Sequence, residues 1–191
     1  AANIYYEDSF VTFNGAWEPV GQTEDGITQQ EDRPGQFSLS AYDANNVYGY
    51  DEAYTDCTAY SLGSAKKVTV NSETNSNPPT ATFTFTGTGF DVISLTDNTS
   101  GAIFVDVYAG TGTSGTRVKS YIVDNYYGYK TVTDDAGNTT WVVDVESTDC
   151  LYQIPVMKIT GLAYGEYTAV VTVFYDGAFD HTTKNSYSFW L

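Results

Sequence analysis

Hydrophobic and polar residues alternate with a period of two along most of the chain beyond residue 80. This is the pattern of strands that bury one face. Residues 82–86 read Thr-Phe-Thr-Phe-Thr, with both Phe on one face and the three Thr on the other. A Gly87-Thr88-Gly89 reversal leads into a second run over 90–95, and Ile103, Val105 and Val107 then alternate with Phe104, Asp106 and Tyr108. The same pattern predicts strands over 118–123, 141–145, 167–175 and 187–191, with weaker ones over 10–13, 37–40 and 67–70. Clusters of Gly, Asn, Ser, Asp and Pro separate these runs at 71–79, 97–101, 110–115, 134–138 and 176–185. No window of helical length carries an apolar stripe of period 3.6. The expectation is therefore an all-β fold, an antiparallel β-sandwich or barrel.

The segment 71–79 (Asn-Ser-Glu-Thr-Asn-Ser-Asn-Pro-Pro) is the nearest thing to a linker, and it separates a loop-rich first third, residues 1–79, from a regular remainder. The strands before it are too few for an independent core, so residues 1–191 read as a single domain. With 191 residues, such a chain can bury a core without a metal or a disulfide. Seventeen Tyr, ten Phe and three Trp argue against disorder.

Eight Lys plus Arg against 24 Asp plus Glu give a net charge of −16. A surface that acidic repels phosphate backbones and anionic lipid, so neither nucleic acid nor a membrane surface is an expected partner. The longest apolar runs, around 169–175 and 103–105, are far too short for a membrane-spanning helix. One His and two Cys exclude a His-rich or Cys-rich metal site. Abundant Thr, Ser, Asn, Gly and Tyr with little Lys suit a secreted or surface protein. In such a setting Cys57 and Cys150 are candidates for one disulfide, worth about 4 kcal/mol in the chain-entropy model. Two buried thiols are the equally weighted alternative.

Residues 84–93 (Thr-Phe-Thr-Gly-Thr-Gly-Phe-Asp-Val-Ile) and 101–107 (Gly-Ala-Ile-Phe-Val-Asp-Val) resemble the central strands of galactose-binding-domain-like jelly-roll sandwiches, which occur as carbohydrate-binding modules. The turn and strand over 161–171 and the aromatic closing strand 186–191 extend the likeness over residues 80–191. A narrower set at 48–51, 60–64, 124–129, 151–156 and 179–181 is similar to modules of starch-adherence, amylosome-type surface proteins of Gram-positive gut anaerobes. Members of the family usually continue past an Asp after the last aromatic residues, and this sequence ends at Leu191. The resemblance implies a jelly roll that binds polysaccharide, starch or another α-glucan first. It also implies an extracellular or cell-surface location, as a monomeric module of a larger multidomain protein. Such jelly rolls often carry a structural calcium. The oxygen-rich turns at 134–138 and 97–99 would be the places for it, although Asp and Asn are also ordinary turn formers. No other cofactor is expected.

The strongest chemical feature is aromatic density between strands. Tyr126, Tyr127 and Tyr129 surround Gly128, and Trp141 opens the next predicted strand. Flat rings suit the apolar C–H face of a pyranose, whose hydroxyls then need polar partners at the ring edge. Asp124 and Asp144, with Asn125, Asp134 and Asn138, are close enough in sequence to supply them. The expectation is that an open loop over 124–141 borders the ligand, the alternative being that these rings cap the sandwich. Tyr50 belongs to a second cluster with Tyr42, Tyr48, Tyr54 and Tyr60 among Asp43, Asp51, Glu52 and Asp56. It would line a cleft or pin a loop. Trp17, beside Glu18 and Pro19, is a third candidate and reads more readily as packing.

Enzymatic signals are weak. G-x-S-x-G, H-E-x-x-H and P-loop motifs are absent, and His181 reads as a lone turn residue. A glycosidase needs only two carboxylates, and with 24 in the chain that possibility stays open. Non-catalytic carbohydrate binding is the first expectation. A structural or adhesion module that contacts protein or spaces other domains is the second. Surface geometry separates them: a binder exposes rings and carboxylates in a cleft, whereas a spacer buries its aromatics.

Overall fold

The computed structural model describes residues 3–22, 28–29, 60, 64–147 and 150–191; among them the side chains of 21, 22, 28, 29, 131 and 141 are not described. The first strands are β1 (Thr12–Asn14), β2 (Glu18–Gln22), β3 (Thr28–Gln29), β4 (Ser64–Asn71) and β5 (Thr80–Gly87). They are followed by β6 (Phe90–Thr96), β7 (Ala102–Ala109), β8 (Arg117–Asp124), β9 (Tyr129–Thr133) and β10 (Thr139–Val143). The last are β11 (Leu151–Ile159), β12 (Gly165–Thr172) and β13 (Ser186–Trp190). Among the described residues the only helical turns are short 3-10 segments at Asp8–Phe10, Ser72–Ser76 and Gly177–Phe179. The protein is an all-β, antiparallel sandwich.

One layer is a five-stranded sheet in the order β1-β5-β12-β7-β8. The other is built from β11-β6 and from β13-β4-β2-β3. The two pieces of that second layer meet where Ser188 N donates to Thr99 O at 2.7 Å, just past the end of β6. Register explains which face is buried. Ala169 of β12 stands between Phe83 of β5 and Val107 of β7, and Val171 stands between Ala81 and Val105. Alternate residues point to opposite faces, so these positions form one apolar wall. The wall packs against Val68, Val70, Val92, Met157, Ile159, Tyr187 and Phe189 of the other layer. The opposite face of the five-stranded sheet carries Thr80, Thr82, Thr84 and Thr86, in register with Thr172, Val170, Thr168 and Glu166.

The second layer is apolar on its outer side as well. Val20, Ala65, Leu95, Cys150, Tyr152 and Trp190 form a separate buried cluster against which Tyr60 packs. Parity accounts for it, because Phe189 faces the main core and its neighbour Trp190 must face away. Cys150 lies in this cluster, whereas its candidate partner Cys57 lies outside the described residues, as do the strand predicted over 37–40 and the Tyr42 to Tyr54 part of the second aromatic cluster.

Several sequence-based boundaries shift. The segment 71–79 begins with a 3-10 turn whose Asn71 side chain accepts from Glu73 N and Thr74 N, while Thr74 Oγ1 accepts from Asn71 N. The strand expected over 167–175 ends at Thr172, where the chain turns toward the Gly177–Phe179 segment. Phe10 falls in a 3-10 turn ahead of β1.

Tyr187 ties that turn to the core. Its ring is 2% exposed, its hydroxyl donates to Phe174 O, and Asp176 N donates to the hydroxyl at 3.0 Å. Burial pushes the phenol from the ordinary 10.0 up to about 12. The neutral form is thus favoured in the folded chain. Its stabilisation is intact below pH 10 and is lost as the pH rises toward 12, since unfolded Tyr187 ionises first. Subtracting the ultraviolet phenolate titration of Tyr187→Phe from that of the wild type should isolate one tyrosine that ionises only near pH 12 or on unfolding. A difference curve centred on the ordinary tyrosine value would contradict this burial.

Candidate functional site

The turn between β8 and β9 is organised by the last residue of β8. Asp124 Oδ1 accepts from Tyr126 N at 3.0 Å, which folds the backbone back on itself. Asp124 Oδ2 accepts from His181 Nε2 at 2.6 Å. The Tyr126 ring lies against the imidazole, with centroids 4.2 Å apart and planes 35° apart. A carboxylate, an imidazole and a phenol from segments 57 residues apart therefore meet at one end of the sandwich.

Beneath them is Asn125, which is 6% exposed. Its N–H donates to Gly101 O at 2.9 Å and continues the ladder between β7 and β8. Its Oδ1 is buried and accepts no hydrogen bond, and the buried Tyr126 hydroxyl likewise makes none. Buried polar atoms without partners are uncommon and need an explanation. Gly128 makes the arrangement possible, since a Cβ there would collide with the Tyr126 hydroxyl. Asp124, Asn125 and Tyr126 line one side of a half-open pocket of about 70 Å³, faced by Ile154, Pro155 and Val156 of β11 with Thr96 at the end of β6. Burial pushes the Tyr126 phenol upward, and neighbouring Tyr129, Asp144, Asp124 and Glu146 add to the shift. The site is thus acidic at its rim and apolar on its β11 wall.

The other sequence candidates divide. Tyr127 does not offer an open ring: it is 0% exposed, its N–H donates to Asp97 O at 2.9 Å, and this pulls the residue beneath the turn. Tyr129 is half-buried at the start of β9, with its ring centroid 5.2 Å from that of Tyr127. The expected open loop over 124–141 is a short turn followed by a hairpin, with β9 paired to β10. Trp141 pairs with Thr131 there, and its side chain is not among the described ones. Asp144 N donates to Gly128 O at 2.8 Å, which seats this carboxylate behind the turn. Lys130 stands 3.1 Å from Asp144 Oδ2 and holds the carboxyl below its usual range, chiefly through that hydrogen bond.

Trp17 is a packing residue. Its ring stands 4.9 Å from Phe13 and 6.1 Å from Phe189, and its Nε1 donates to Asn14 O. Tyr50 lies outside the described residues. Asp134 Oδ1 accepts from Ala136 N and Asn138 N of its own turn, so the turn's geometry accounts for this carboxylate. Among the described residues no group of three or more His, Cys, Asp and Glu is placed to hold a metal ion.

Sequence reading took His181 as a lone turn residue and used 151–156 and 179–181 only in the resemblance, without placing either beside Asp124. The pairing of His181, in the β12–β13 connection, with Asp124 at the end of β8 joins segments 57 residues apart, and no local pattern announces it. The strand β11 contains Pro155 and shifts register twice, so it lacks clean alternation. Searches against protein-family models and against curated proteins find no match to this chain.

Proposed function

We propose that the protein is a non-catalytic carbohydrate-binding module whose ligand meets the pocket formed by Asp124, Asn125 and Tyr126. One observation carries the reading: an imidazole-held carboxylate and a tyrosine ring share the rim of a pocket above a buried carboxamide. A sugar offers an apolar C–H face and a fringe of hydroxyls, and this set supplies a ring for the first and acceptors and donors for the second. The likeness to galactose-binding-domain-like jelly rolls supports the same reading. Starch or another α-glucan as first ligand rests on that likeness, as do the surface location and the larger multidomain parent.

Affinity electrophoresis through gels containing starch, xylan, mannan or mucin glycans tests the proposal. At least one polysaccharide should retard the wild type, and Asp124→Ala and Tyr126→Ala should each weaken binding about tenfold, the worth of one hydrogen bond or ring contact. Retardation by none of them would sink the reading. Burial of Tyr127 and the threonine-rich outer sheet face favour the second reading, a spacer or adhesion module. On that reading both variants migrate like the wild type in every gel.

A further inference from the structure

We infer that the pocket beside Asn125 receives the acetamido group of an N-acetylated amino sugar, an inference that rests on the carbohydrate-binding reading above but sets an amino sugar ahead of the α-glucan. Size is the first argument. A cavity of about 150 Å³ is known to enclose a benzene ring. At about 70 Å³ this pocket cannot swallow a pyranose, yet it has room for a substituent of a few heavy atoms. The sugar ring would stay outside, over the rim formed by Tyr126 and His181.

Lining chemistry is the second argument. The β11 wall of Ile154, Pro155 and Val156 suits a methyl group and offers nothing to a bare hydroxyl. The lining also includes Asn125, a residue 6% exposed whose side-chain Oδ1 is buried and accepts no hydrogen bond. A carboxamide presents an acceptor and donors side by side. An acetamido group is a trans amide whose N–H lies on the same side as its methyl and opposite its C=O, so one hydrogen bond is available here: the N–H donates to Asn125 Oδ1 while the adjacent methyl turns to Pro155 and Val156. A glucose hydroxyl at the same ring position can meet the polar side of the pocket but leaves the β11 wall without an apolar partner. Oδ1 is shielded from solvent, so the inference requires the pocket to open locally around Asn125 as the ligand enters.

N,N′,N″-Triacetylchitotriose (chitotriose below) and cellotriose share a β-1,4 glucose backbone and differ at carbon 2, so they isolate the acetamido group. Titration of the wild-type protein, followed by calorimetry and by the NMR signal of the Asn125 side-chain amide, should give at least about tenfold tighter binding of chitotriose than of cellotriose or maltotriose. The Asn125 amide resonance should shift with chitotriose alone. Asn125→Ala should remove the discrimination; should that variant fail to fold, the ligand comparison and the wild-type amide signal still decide. Equal affinity for chitotriose and cellotriose, or an Asn125 amide that does not move, overturns the inference and leaves carbohydrate binding standing. Failure of all three sugars and of the polysaccharide gels overturns both.

Discussion

Trp190→Ala should destabilise the protein by about 3–5 kcal/mol, the range for deleting a large buried aromatic side chain. Trp190 is 0% exposed, although it points away from the main core. Its neighbours in the outer cluster are Leu95, Tyr152, Cys150, Val20 and Ala65, contributed by strands and connections far apart in sequence. Lys67 Nζ stands 4.9 Å from the ring centroid, close enough for a cation–π contact that alanine also removes. Neither side of the cavity can collapse easily, because β13 is paired to β4 along its length. Urea unfolding measures the loss. Tyr164→Ala is the control: that residue is 79% exposed, and its removal should change stability by no more than about 0.5 kcal/mol. A loss at Trp190 no larger than the control's would mean that the outer cluster does not cohere.

Gly101→Ala should cost about 1–3 kcal/mol, the usual range for forcing extra volume into a packed core. The added Cβ would enter the ring of Tyr187. That ring cannot step aside, since its hydroxyl is held by Phe174 O and Asp176 N. The same glycine offers its carbonyl to Asn125 N, so displacement at the core passes to the floor of the candidate pocket. Thermal melts should therefore fall, and any glycan affinity should fall with them. Gly110→Ala separates this from the general cost of losing a glycine, because a Cβ at Gly110 meets nothing, although its φ of +82° carries its own strain. If Gly101→Ala melts like the wild type, Tyr187 does not occupy the place assigned to it.

Much of the sandwich was legible because period-2 alternation reports one buried face directly. The Phe83 and Phe85 side of β5 and the Ile103, Val105 and Val107 side of β7 are where the pattern puts them. It fails where a strand is buried on both faces or is broken by bulges. β11 is such a strand, with Pro155 and with Gln153 at a φ of 54°. It fails too at the aromatic cluster, because alternation cannot say whether a ring between strands points outward. Tyr126 lies at the rim and its neighbour Tyr127 is buried, from the same Tyr-Tyr-Gly-Tyr sequence. The candidate site was half visible for the same reason. Asp124, Asn125 and Tyr126 are adjacent in the chain, whereas His181 and the wall over 154–156 reach them only through the fold.

The place of β8 at the end of the five-stranded sheet bears on how many copies can crowd together. Among the described residues no strand pairs with its far side, and Val118, Tyr121 and Ile122 are exposed along it. An edge of this length invites another chain to extend the sheet, which is how folded proteins begin to aggregate. Arg117 and Lys119 stand on that strand in a chain with only eight basic residues. Two such edges approaching each other bring basic side chains together, on bodies that already repel through a net charge of −16. Crowding at high concentration is then compatible with each copy keeping its sheet to itself, and the solubility margin should be narrowest at acidic pH and high ionic strength, where protonation and screening weaken that repulsion.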